Sequence, residues 1–420
     1  MSPLLVKTIS VGGLKVCAAG VGFVLTAFIT RTLGAAESGL FLFGLSLISA
    51  LSVFFRLGLE DVILRTMGAE GISPLSRRNL NMGLLWIVSI VVPFACASAV
   101  ASDLIATLIF NKPEFSPVLF WMILALPAIT IVGLLAMAFQ GLHRSIIAIV
   151  FQGFGLSLLA LVCFLVVWWL GIFNLSAESL AAIYAICAFL IFGLSVLIWC
   201  RQEGMPFYVG KVFDKSLWTA SSNLWAASSM SLLVQWSGVI VAGAFITSEE
   251  LAFFSAAQRT AMLISFVLVV VNMVVAPMYA KLWKENNINE MKRIARLSTR
   301  CMFACVLPAV IVIVIFPEWI MGLFGPGFEG GALLLIIMSL GQCVNVLTGS
   351  VGYLLTMSGH VRDFRKVMLF SGPVTVLLSY ILTVEYGAVG AAVATAVGLS
   401  IQNIFALVMV RKRLGFWPLG

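Results

Sequence analysis

The sequence predicts an all-α polytopic membrane protein with twelve transmembrane helices in two six-helix lobes. Three observations carry this prediction: twelve long apolar stretches, basic residues gathered in every second gap between them, and 62% hydrophobic against 10% charged residues. A soluble domain carries about 25% charged residues. The formal charge of +8 would suggest nucleic acid in a soluble protein. Here it is topological, because the basic residues face anionic lipid headgroups and no nucleic-acid partner is expected.

The first half holds stretches at Thr8 to Thr30, Ser38 to Phe55, Met82 to Ala101, Ser116 to Phe139, Ile146 to Leu170 and Leu180 to Cys200. The second holds Leu217 to Ile246, Leu251 to Ala280, Leu297 to Phe316, Ala332 to Met357, Val367 to Thr383 and Ala388 to Val410. At about 1.5 Å rise per residue, each crosses most or all of a hydrocarbon core of about 30 Å. The first is longer than a signal-peptide apolar region and lacks an A-x-A site, so it is expected to stay as a helix. Prolines within or at the ends of stretches (Pro93, Pro127, Pro277, Pro308, Pro373) free carbonyls that need neighbouring side chains or water. Gly387, Gly390 and Gly398, with intervening alanines, let the last stretch pack closely.

The even-numbered gaps and the C-terminal tail hold twenty of the 25 Lys and Arg residues. The odd-numbered gaps hold Arg31 and Lys112 alone. By the positive-inside rule both termini are expected to be cytoplasmic. The expected setting is a bacterial inner membrane.

A shift of 213 residues sets LGAAESGLFLF (Leu33 to Phe43) against ITSEELAFFSA (Ile246 to Ala256), aligning Glu37 with Glu250 and Phe41 with Phe254. The match recurs at the outer turn between the first two helices of each half. Six is even, so both halves share one orientation and are expected to be related by a pseudo-two-fold axis along the membrane normal. The lobes are expected at 1–205 and 216–420, with 206–215 as a cytoplasmic linker and hinge.

Chemistry-bearing motifs are scarce. The eight cysteines lack C-x-x-C spacing and are expected to pack as small apolar residues. His143 and His360 are expected in solvated loops. No metal-ligand cluster, nucleophile elbow or phosphate-binding glycine loop occurs, so no enzyme activity, cofactor or metal is expected.

Ionisable residues at membrane depth carry the functional signal. Arg259 lies eight residues into the eighth stretch, roughly 12 Å along its axis. A guanidinium there is costly unless it faces water, an anion or a bonding neighbour. Lys15, Arg31 and Arg56 are further candidates for substrate contact, although snorkelling accounts equally for Lys15. Glu60, Asp61 and Arg65 follow Arg56 as either a gating and ion-coupling cluster or the solvated end of a helix. Asn223, Gln235, Ser237, Gln258, Asn272, Gln342 and Asn345 are polar at membrane depth, suited to interhelical bonds or to sugar hydroxyls in a wet cavity. Helices one, two, seven and eight are expected to line that cavity. With hardly any buried acid, such an interior suits an anionic lipid-linked substrate, because arginine matches phosphate in charge and fork geometry.

RTLGAAESGLFLF (Arg31 to Phe43), LGLEDVILR (Leu57 to Arg65), FFSAAQR (Phe253 to Arg259), FGPGF (Phe324 to Phe328) and YGAVGAAVAT (Tyr386 to Thr395) resemble, in order and spacing, polysaccharide flippases. The group is the Wzx-like, O-antigen-exporting branch of the multidrug, oligosaccharidyl-lipid and polysaccharide (MOP) exporter superfamily. The resemblance implies transfer of an undecaprenyl-pyrophosphate-linked glycan to the outer leaflet by alternating access, beside other polysaccharide-assembly membrane proteins. It also aligns Arg259 with a basic residue of helix eight in related lipid II flippases, and Arg31 and Arg56 with comparable basic positions. Those flippases often carry an acid where this chain has Gln258. Two rival readings are a cation-coupled multidrug exporter of the same superfamily, disfavoured by the missing acids, and a membrane glycan polymerase or ligase, disfavoured by short outer loops.

Overall fold

The computed structural model describes residues 3–171, 175–204 and 213–419, with side chains from residue 12 onward. Among the described residues every regular element is helical. The helices are α1 (Pro3–Phe55), α2 (Leu59–Glu70), α3 (Pro74–Val100), α4 (Ser116–Gly141), α5 (Ser145–Leu170) and α6 (Ala177–Glu203), then α7 (Lys215–Phe245), α8 (Ser248–Lys284), α9 (Ile288–Ile315), α10 (Phe328–Met357) and α11 (Val361–Leu414). Among the described residues, all of these but α2 are long and apolar enough to cross a membrane, which gives ten candidates; a further short helix, Pro317–Gly322, is not one of them.

Two of the ten each contain two predicted stretches. α1 bends at Gly34 and α11 at Gly387, with φ of 75° and 58°. A side chain with a Cβ rarely adopts that left-handed conformation. The bends fall at the expected turns between stretches one and two and between eleven and twelve, so the ten helices supply twelve membrane-crossing legs. All five prolines singled out in the sequence lie inside helices.

Helix starts are chemically specified. Ser73 and Ser76 form a reciprocal capping box at α3, and Thr247 and Glu250 form one at α8. Glu37, aligned with Glu250 by the internal repeat, accepts a hydrogen bond of 2.9 Å from the Ala177 N–H at the start of α6. Each acid of the repeat thus satisfies a helix N-terminus, where unpaired donors and the helix dipole favour a carboxylate.

The helices cluster into two compact units, Met1–Ser229 and Met230–Gly420. In the first, α4 packs against α1, α2, α3 and α6, and its buried side chains run right round the helix. Phe41 is wholly buried and meets Phe164 and Tyr184 edge to face, with centroids 6.1 and 6.2 Å apart. In the second unit α10 takes the central place, against α8, α9 and α11. Both hubs are the fourth crossing of their half, as a six-helix repeat requires. Large apolar side chains such as Leu108 and Trp169 are each 79% exposed, which suits a surface solvated by lipid tails.

Residues 206–212 of the linker lie outside the described residues. Its flanks are tied to α3 by consecutive arginines. Arg77 Nη2 donates to the Glu203 carbonyl at 2.8 Å, and Arg78 pairs with Asp214.

Candidate substrate cavity and charged clusters

The second unit holds a partly open cavity of about 330 Å³ whose lining is shared by polar and apolar side chains. Its walls come from α7 (Ser231, Gln235), α8 (Gln258, Ser265), α10 (Gln342, Asn345) and α11 (Thr395, Gln402), completed by apolar side chains such as Phe266 and Met338. Among the described lining residues none is charged. Gln258 Nε2 donates to the Gln235 carbonyl at 3.1 Å. Asn345 Nδ2 donates to Ser265 Oγ at 3.0 Å, and Ser265 donates in turn to Gln342 Oε1. The walls thus present amides and hydroxyls, which both donate and accept, the complement of a neutral polyhydroxyl group.

Of the amides singled out in the sequence, Gln235, Gln258, Gln342 and Asn345 converge on this cavity. Asn272 and Ser237 do not line it. Asn272 is buried and accepts from Ser350 Oγ, while Ser237 shares a 3.2 Å bond with Ser379. Arg259 follows Gln258 on α8 and is half-buried on the adjoining helix face. The sequence reading passed over Ser231, Ser265, Thr395 and Gln402. Gln402 stands inside an apolar run just as Gln342 does, so the same signal was present.

The remaining candidates lie in the first unit. Asn223 is exposed on α7, donates to the Thr219 carbonyl at 2.8 Å, and borders an open groove with Lys215 and Thr219. Lys15 is half-buried in the first leg of α1, and Arg31 is exposed one turn before the Gly34 bend. Arg56 is the most tightly held. Its Nη1 pairs with Glu60 Oε2 at 2.6 Å, its Nε donates to the Ser52 carbonyl at 3.2 Å, and both side chains are only about 15% exposed. The guanidinium lies over Gly133 of α4, where an added methyl would sit 3.1 Å from it. The structure thus brings together Arg56 and Glu60; Asp61 lies beside them, and Arg65 is exposed one turn further along α2.

α2 is outside the membrane-crossing helices, yet its first-turn acids, Glu60 and Asp61, are largely covered. Burial pushes the Glu60 carboxyl above the usual carboxylate range, against the pull of Arg56. Burial raises Asp61 likewise, against the pull of Arg65. The folded state therefore holds more protons than the unfolded chain between the ordinary and the raised values. Stability from these groups is full below that window and falls as pH rises through it. We expect the thermal midpoint of the purified protein to decline across this range, and Glu60→Gln with Asp61→Asn to flatten the decline. An identical slope in the double variant would exclude these carboxyls as its source.

Among the described residues no three His, Cys, Asp or Glu side chains are grouped to hold a metal. All eight cysteines are free thiols. His360, expected as a solvated loop residue, is instead half-buried: it bonds Ser358 at 2.9 Å and packs on Trp283, with ring centroids 5.5 Å apart.

Known proteins share this architecture. The family model described as polysaccharide biosynthesis protein matches residues 4–283, and that described as MatE matches 226–381. A curated relative, the probable low-salt glycan biosynthesis flippase Agl15 of Haloferax volcanii, is 25% identical over 194 residues. The match spans 45% of this chain and 40% of that protein. Among solved structures, the lipid II flippase MurJ in an inward closed conformation superposes with a TM-score of 0.76 at 12% identity, covering 96% of this chain and 87% of that one. An inward-facing multidrug resistance MATE transporter of the MOP superfamily gives 0.69 at 17% identity, covering 94% of each chain. Identities this low speak to the fold alone, a multi-pass fold of two six-helix lobes. With the family model matching residues 4–283, two thirds of its length, the chain belongs to the polysaccharide biosynthesis protein family.

Proposed function

We propose that the chain is a flippase that moves an undecaprenyl-pyrophosphate-linked oligosaccharide from the cytoplasmic to the outer leaflet. The observation that carries this reading is the cavity of about 330 Å³ lined by five carboxamides of Gln and Asn, with no acid among the described lining residues. Amides and hydroxyls can exchange bonds with sugar hydroxyls as a glycan moves through, while arginines such as Arg259 and Arg56 supply the charge and fork geometry that pyrophosphate needs. Agl15, by its name, is a glycan biosynthesis flippase.

In this reading Arg259, Arg31, Arg56, Lys15, Asn223 and Asn272 contact the substrate, and Glu60, Asp61 and Arg65 couple an ion or gate the alternation between the two faces. The protein works as a transporter and makes no covalent change to its cargo. Its setting is a plasma membrane with both termini cytoplasmic, alongside other proteins of polysaccharide assembly. A second reading is a cation-coupled multidrug exporter, favoured by the MatE match over residues 226–381. The acid-free cavity weighs against it, since an organic cation buried there would lack a counter-charge.

The test is complementation of a flippase-deficient strain, scored for surface glycan. We expect the intact chain to restore glycan and Gln258→Leu with Gln342→Leu to lose most of it at normal membrane abundance. Drug resistance conferred without glycan export would select the exporter instead.

A further inference from the structure

The first three turns of α9 place Asn289, Lys292, Arg293, Arg296, Leu297 and Arg300 on one stripe, at steps of three and four residues. Helical geometry puts such positions on a single face. Met291, Ala295, Ser298 and Thr299 occupy the opposite face and are buried in the second unit. The stripe borders a shallow groove of about 510 Å³. We propose that this groove binds the phosphate head group of an anionic phospholipid, with its acyl chain running along Leu297.

The charge balance points to an anion. Four cations meet at the groove, and the neighbouring Glu290 pairs with Arg293 at 3.3 Å, so three positive charges remain in excess. Positive-inside sorting accounts for basic residues on this side of the membrane but not for their being held in place. Arg296 Nε donates to the Trp417 carbonyl at 3.2 Å, so the C-terminal tail fixes one guanidinium. Arg411, 5.9 Å from the Trp417 ring centre, steadies that tail in turn. Two further arginines supply planar donors that match phosphate oxygens.

The position of the groove selects a lipid over a soluble phosphate. Three of its four cations precede the apolar run that begins at Leu297, Arg300 lies in the first turn of that run, and Leu297 itself is 59% exposed. Trp417, 37% exposed and joined to the stripe through its carbonyl bond from Arg296, is the residue type common at the water–lipid boundary. The groove therefore offers cations at headgroup level and an apolar continuation toward the bilayer centre, which a lipid uses and inorganic phosphate does not.

The test is native mass spectrometry of the full chain in neutral detergent, titrated with phosphatidylglycerol or phosphatidylcholine. Phosphatidylglycerol should be retained preferentially. Lys292→Gln with Arg300→Gln, which spares the Arg296 bond to the tail, should weaken that retention roughly tenfold or more, as expected for two charges at a membrane surface. Lys281→Gln with Lys284→Gln removes the same charge off the stripe and should leave binding as in the parent. Inorganic phosphate at millimolar concentration should not displace the lipid. Equal retention of both lipids, unchanged binding in the stripe variant, equal loss in the control pair, or displacement by inorganic phosphate would each overturn the proposal. Unchanged thermal midpoints in both double variants show that a loss of lipid reflects the site and not the fold.

Discussion

Arg259→Ala is expected to abolish surface glycan export while the protein stays in the membrane at normal abundance. Charge-assisted hydrogen bonds contribute about 1.5–3 kcal/mol, which corresponds to roughly tenfold to over a hundredfold in substrate affinity. Arg259→Lys should recover part of the loss, because lysine keeps the charge and forfeits the planar fork. Arg259→Glu should be at least as damaging as alanine, since it puts repulsion where the pyrophosphate needs attraction. A structural arginine gives a different pattern: export would fall with protein level, and Gln, which still hydrogen-bonds, would substitute. Complementation of a flippase-deficient strain, with membrane abundance measured in parallel, separates the two. Full export by Arg259→Gln at normal abundance would sink the anion-binding role.

Gly390→Val should cause the largest loss of stability. A Cβ on Gly390 would overlap the Leu382 carbonyl oxygen, a backbone atom of the preceding leg of α11, just across the Gly387 bend. A carbonyl in a helix cannot rotate away as a side chain can, so the two legs must part. Overpacking costs about 1–3 kcal/mol, and more where, as here, the obstructing atom is backbone. Gly22→Ala in α1 is the matched control, because its Cβ would meet no atom within 4 Å and alanine favours a helix. Membrane abundance and thermal midpoint should fall sharply for Gly390→Val and hold for Gly22→Ala. Normal values for Gly390→Val would show that the legs do not approach as closely as the structure places them.

Much of the scaffold was legible in the chain. Apolar length and basic-gap alternation are one-dimensional properties, so the twelve crossings could be counted without a structure. The internal repeat likewise located Gly34 in the turn between the first two crossings. Gly390 and Gly398 were read as close-packing positions, and they approach Leu382 and Thr375 of the preceding leg. What sequence spacing could not show is which residues on different helices share a face. Gln258 and Gln342 are 84 positions apart in the chain, and only the packing of α8 against α10 makes them walls of one cavity. Arg56 stood beside Glu60 in the sequence as a member of one charged cluster; the structure pairs the two and adds what spacing could not show, that the guanidinium lies over Gly133 of α4.

The sequence by itself determined the class, the number of crossings, the positions of the turns and the amide-rich, acid-poor character of the interior. These follow from local composition, because a hydrocarbon solvent demands long apolar helices whatever their partners. Only the tertiary structure decided how individual polar groups are used. Glu37 serves the start of α6 and Asn272 a serine of α10, while Gln235, Gln258, Gln342 and Asn345 open onto a cavity. Arg296 is oriented by a carbonyl of the C-terminal tail 121 residues away. In an apolar medium a polar side chain bonds whichever neighbour the packing supplies, and helix packing is set by the shapes of side chains brought together from distant parts of the chain.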